Sequence, residues 1–259
     1  MSNPIRIDRA GTAAHVVLDR AEKRNALTLA MWRELARTFR ELDADDDLRC
    51  VVLRGSGERD FSAGADISEF QSVRSDRTQA REYGAIVESA LGAIAVCRHP
   101  TVAGIRGACV GGGLELAAVC DIRIATSSSR LGAPISRIGV TMAPAEMVGL
   151  IDLVGRATLA ELLLTAEIVD ADRALALGLV NRVVSDERFE TEIATLVDLI
   201  AAGAPHVHRM HKRFLRRLAE RRPLSENERE DAFAFAETED FRIGVEAFLA
   251  RTNAGFSGR

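Results

Sequence analysis

Residues 107–115 read GACVGGGLE, and residues 61–67 read FSAGADI. The first stretch follows an apolar run at 101–106 (TVAGIR) and opens an apolar helix, GGGLELAAV. Three successive glycines at a helix start leave backbone N–H donors bare, at the positive end of the helix dipole. Glu115 then falls in the first turn, beside whatever those donors hold. The spacing is not G-x-G-x-x-G, and no Gly-Lys-Ser/Thr follows, so neither a dinucleotide fingerprint nor a P-loop is present. The second stretch follows the apolar run 49–54 (RCVVLR) and the turn Gly55-Ser56-Gly57. Its small residues at 62–65 allow a ligand close to the backbone, and Asp66 is suited to hold the turn. Either stretch alone reads as a tight turn; the pair, in this order, is more specific.

Working outward, 14–18, 49–54, 101–106 and 121–125 read as short strands. Thr28 is placed to cap a helix carrying Met31, Leu35, Phe39 and Leu42 on one side. Strands alternating with helices predict an α/β core of parallel crossovers. After about residue 185 the pattern turns helical and charged. Residues 187–202, 205–220 and 226–251 each read as one amphipathic helix, broken at Gly203-Ala204-Pro205 and Arg222-Pro223.

The 259 residues are 47% hydrophobic and 28% charged with a net charge of −4, which points to no nucleic-acid or membrane partner. No apolar run is long enough to span a bilayer, and MSNPIRIDRA has no apolar signal core. Cys50, Cys97, Cys109 and Cys120 show no metal or redox spacing, so a reducing, cytoplasmic setting is expected. His206, His208 and His211 lie among five cations, Arg209 to Arg217, which would repel a metal; a solvated or interface helix face is expected. His99, before Pro100, reads as structural.

The two loops together resemble the signature of the crotonase superfamily, the enoyl-CoA hydratases and isomerases. The resemblance extends to RAEKRNAL at 20–27, similar to the family's early CoA-binding loop. It continues through VDADRALALGLV at 169–180, and GVEAFL at 244–249 with FSGR at 256–259. It implies a crotonase-like spiral of ββα units over residues 1–200, binding acyl-CoA. Residues 201–259 would form a helical segment for trimerisation and capping of the site. It implies an oxyanion hole from the N–H groups of Ala65 and Gly112, with Glu115 as principal acid/base. Lys23, Arg24 and Ala26 would contact CoA, and Ala63, Gly64, Asp66, Ile67, Gly111, Pro134 and Ile135 would line the substrate. It implies no metal or redox cofactor, CoA arriving within the substrate, and a homotrimer or dimer of trimers.

One position departs from the family. Its second glutamate should follow Pro134, where this chain has Ile135, which cannot carry a proton. A positioned carboxylate contributes roughly 10²–10⁴ in rate. Three readings follow. Glu115 works alone; or Glu146, set by Pro144 in a first helical turn, supplies the second carboxylate; or the protein is a non-catalytic acyl-CoA binder.

Overall fold

The protein is described by a computed structural model covering residues 4–258; Met1 to Asn3 and the last residue of the 256–259 tail, Arg259, lie outside the described residues. The chain opens with a hairpin of β1 (Ile5–Ala10) and β2 (Ala13–Leu18), turned at Gly11 with φ +56°. The strand at 14–18 is therefore present, but its antiparallel partner went unread. In IRIDRA only Ile5 is buried, as befits an edge strand with little apolar signal. Helix α1 (Leu29–Asp43) begins at Thr28, whose Oγ1 accepts from the N–H of Met31 at 3.2 Å. It buries Met31, Leu35, Phe39 and Leu42 as read, together with Trp32 and Ala36.

Next come β3 (Cys50–Gly55), a short α2 (Phe70–Val73), α3 (Arg77–Val96) and β4 (Thr101–Ile105). They are followed by β5 (Ala108–Val110), α4 (Gly112–Ala118), β6 (Ile122–Thr126) and β7 (Arg130–Gly132). Then follow α5 (Pro144–Thr165), β8 (Ile168–Asp170), α6 (Ala171–Ala176) and β9 (Arg182–Val184). The main sheet has the order β1-β2-β3-β4-β6-β9 and is parallel except for the β1–β2 pair. A second sheet, β5-β7-β8, stands apart from it.

Strand periodicity divides the main sheet between two layers. Cys50, Val52, Val102 and Ile124 face Phe189, Ile193 and Leu196 of α7 (Phe189–Ala201). Their neighbours Val51, Leu53, Ala103, Ile105 and Ala125 enter the larger core with α1, α3 and α4. Each fully buried side chain of this size is worth about 1.5–3 kcal/mol. Gly107 switches the chain from β4 to β5: its φ is +50°, and a Cβ there would lie 1.7 Å from the Arg59 carbonyl oxygen. That switch carries the glycine run onto the second sheet.

The remaining helices are α8 (Pro205–Ala219), α9 (Glu226–Glu230) and α10 (Glu239–Ala250). The single helix expected over 226–251 is broken. A 3-10 stretch (Asp231–Glu237) ends at Thr238, which is extended (φ −87°, ψ 148°). Its Oγ1 donates to the Phe235 carbonyl and accepts from Phe241 N–H, so one hydroxyl stops one helix and starts the next. Helix α8 is tied to the core by buried Lys212, whose Nζ reaches Asp121 Oδ2 at 2.6 Å and the His99 carbonyl at 3.0 Å. No helix among the described residues is long and apolar enough to cross a membrane.

Candidate active site

The 61–67 loop is laced between two neighbours. Ser62 N–H donates to the Ala108 carbonyl at 2.9 Å, and Val110 N–H donates back to the Ser62 carbonyl at 3.0 Å. On the other side Ala63 N–H donates to Arg24, Leu27 N–H to Gly64, and Asp66 N–H to Leu27, all at 2.8–2.9 Å. Inside the loop Gly64 N–H donates to the buried Ser62 hydroxyl at 3.1 Å. The N–H groups of Ser62, Ala63, Gly64 and Asp66 are thereby all used, and the N–H of Ala65 has no acceptor among the described residues. The same holds for Gly112 N–H, at the start of α4. The two glycines between these donors are required. Gly64 has φ +94°, and a Cβ on it would meet the Val110 carbonyl at 2.7 Å and Gly112 N at 3.5 Å. Gly111 has φ +53° and ψ −120°, a conformation open to glycine.

These donors edge a cavity of about 170 Å³. Glu115 lines it, buried, and its carboxyl takes no hydrogen bond from the described residues. Burial, and then the neighbouring Glu146, push its pKa up to about 8. Glu146 lines the same cavity from the first turn of α5, with Oε2 accepting from Ala143 N–H at 2.8 Å. Burial raises its pKa as well, against that hydrogen bond and the charge of Arg74. Glu146 is thus a buried first-turn carboxylate. Ile135 also lines the cavity and adds no polar group.

Three wall residues went unread. Trp32 and Tyr83, the chain's one tryptophan and one tyrosine, meet there, the Trp32 Nε1–H donating to the Tyr83 hydroxyl at 3.1 Å. Arg74 stacks over Tyr83 at 4.5 Å and Phe70 at 4.9 Å. Trp32 and Tyr83 are legible only as helix-face core residues. Arg74 sits in a polar stretch with no motif around it.

Residues 8–259 match the family described as Enoyl-CoA hydratase/isomerase. The chain belongs to that family. The short-chain-enoyl-CoA hydratase of Clostridium acetobutylicum is 32% identical over 215 residues, covering 83% of this chain and 82% of the relative. The crotonyl-CoA hydratase of Syntrophomonas wolfei is 30% identical, covering 96% of each chain. Among solved structures, an enoyl-CoA hydratase/carnithine racemase from Magnetospirillum magneticum is 42% identical with a TM-score of 0.98, covering 100% of this chain and 97% of its own. The fold is the crotonase fold, and the chain is an enzyme of the hydratase/isomerase type.

Of the residues the family resemblance singled out, Ala63, Gly64, Ala65, Ile67, Gly111, Gly112, Glu115, Pro134, Ile135 and Glu146 all line the one cavity. Lys23, Arg24, Ala26 and Asp66 lie outside its lining. The Arg24 guanidinium is engaged by both oxygens of Asp60, which also accepts from Ala108 N–H. Asp66 accepts from Arg20, and the Ala26 carbonyl accepts from Arg20 at 2.7 Å. Lys23 is exposed. This segment therefore braces the 61–67 loop from behind. Among the described residues no three His, Cys, Asp or Glu side chains gather as a metal site would need.

Proposed function

We propose that the cavity takes the acyl end of an acyl-CoA thioester and moves a proton on it through an enolate. The thioester oxygen accepts from Ala65 and Gly112 N–H, and Glu115 is the acid/base. One observation carries this reading: two backbone donors without acceptors edge a cavity that holds a buried, unpartnered carboxyl. Donors fixed at a developing oxyanion are worth about 3–4 kcal/mol each. A carboxyl with its pKa near 8 is a stronger base, once ionised, than an ordinary glutamate. CoA enters as part of the substrate, and no metal or redox group has a role.

Glu146 is the second carboxylate in this proposal, in place of Ile135. It is buried in the same cavity, and its charge acts on Glu115. One oxygen is spent on Ala143 N–H, and the other is left to hold a water. Residues 1–200 form the catalytic unit. Residues 201–259 cap it and assemble a homotrimer or dimer of trimers.

Solvent-deuterium exchange into the α-carbon of butyryl-CoA tests the role of Glu115. Glu115→Gln is expected to slow exchange by about 10² or more; unchanged exchange removes Glu115 from the mechanism. Glu146→Gln is expected to lower hydration of crotonyl-CoA more than it lowers exchange. Equal hydration by wild type and Glu146→Gln would dispose of its role, and acyl-CoA binding with no turnover across a panel would favour a binding protein.

A further inference from the structure

Arg74 is the cation in the cavity lining; its charge acts on Glu115 and Glu146, but no described carboxylate forms an ion pair with it. The residue is half-buried, and its guanidinium lies over two rings that meet edge to face, 4.5 Å from the Tyr83 centroid and 4.9 Å from that of Phe70. It makes no hydrogen bond and no ion pair with any described side chain, Glu115 and Glu146 included. Two other half-buried arginines are paired, Arg20 with Asp66 and Arg106 with Glu190. Withdrawing a cation from water without a partner is costly, and a fixed guanidinium presents a fork suited to a carboxylate. The two rings hold that fork in place, so little ordering is left to the moment of binding. The cavity is also small, about 170 Å³.

We propose that Arg74 selects a short acyl chain ending in a carboxylate, so that the substrate class is a short ω-carboxyacyl-CoA. This rests on the thioester reading above. The thioester oxygen sits at Ala65 and Gly112, the carbons to be protonated pass Glu115, and the far carboxylate pairs with Arg74. A chain ending in a quaternary ammonium meets like charge at the same point.

Calorimetry on the full-length protein tests this with glutaryl-CoA, its terminal amide and 4-(trimethylammonio)butyryl-CoA. Wild type is expected to bind glutaryl-CoA about ten- to a hundredfold more tightly than the amide, and the ammonium ester most weakly. Arg74→Met is expected to erase the preference for carboxylate over amide, while Arg74→Lys keeps part of it. Equal binding of glutaryl-CoA and its amide by wild type would overturn the inference. So would a preference that survives in Arg74→Met, even where that variant shifts the pH profile of turnover, since Arg74 would then only tune the two glutamates. Turnover of crotonyl-CoA by wild type, measured alongside, separates the two levels. If it persists without a charge preference, this inference alone fails; if no ester binds or turns over, the thioester reading fails with it.

Discussion

Glu115 connects the chemistry of the cavity with the stability of the chain. Its carboxyl is raised from an ordinary 4.5 to about 8, chiefly because burial penalises the charged form. Between those values the folded state keeps a proton that the unfolded chain has released. Stability therefore falls as pH rises from about 4.5 to about 8, and the contribution is lost once the folded-state pKa is passed. Glutamine has nearly the shape of the neutral acid and cannot ionise. Glu115→Gln and wild type are expected to melt together near pH 5, to diverge progressively as pH rises to about 8, and to stay apart above it, with the variant melting higher by at least about 4 °C at pH 9. Each kcal/mol moves the midpoint of a chain this size by about 2–4 °C. Parallel melting curves from pH 5 to 9 would show that Glu115 is not held neutral. Such a variant would be more stable and less active, as expected where a functional site stores an unfavourable charge.

At the scale of elements, helix α4 and the loop it faces show what sequence can and cannot convey. The glycines at 111–113 are legible because backbone conformation and close approach leave few alternatives. A Cβ on Gly112 would lie 2.8 Å from Trp32 Cζ2, and one on Gly113 would lie 2.8 Å from the Ser62 carbonyl. Trp32 cannot swing aside freely, because its indole N–H is bonded to Tyr83. Gly112→Ala is thus expected to cost about 1–3 kcal/mol by overpacking and to displace the Gly112 N–H. Thermal unfolding and kcat/KM should both fall, kcat/KM by more than the loss of folded protein explains; an unaffected enzyme would mean that α4 has slack. Thr28 was equally legible, since a capping hydroxyl before an amphipathic run is a local signal. Strand β5 was not: its three residues carry no period, and only the turn forced at Gly107 sets them in a second sheet. The break at Thr238 was masked by helical periodicity on both sides of it. Arg74 was invisible because its meaning comes from rings 4 and 9 positions away in the chain, brought under it by the fold.

For the whole molecule, the tail helices after α8 are thinly packed within one chain. Helix α7 buries Phe189, Ile193 and Leu196 against the main sheet, which is how a helix normally stabilises itself. Beyond α8 that support thins. Helix α9 and the 3-10 stretch after it bury no residue, and α10 buries only Asp240 and Ala247. The Asp240 carboxylate is occupied in gathering the N–H groups of Ser257 and Gly258. Large apolar side chains on α8 and α10 face outward instead: Leu215 is 72% exposed, Leu249 76% and Phe248 84%. A scattered exposed leucine needs no explanation, but a run of large apolar side chains on successive helices is what the proposed assembly would cover. In the assembly proposed above, a second copy of the chain would supply the missing layer, and a closed ring of copies would leave no such face open. Light scattering is therefore expected to give three or six chain masses. The double substitution Phe248→Asp with Leu249→Asp is expected to shift the protein toward single chains and to lower its melting point, because the tail helices lose the surface that stabilises them. A wild-type protein that runs as a single chain at micromolar concentration, with the double variant melting alongside it, would mean that α9 and α10 are held by the contacts within one chain alone.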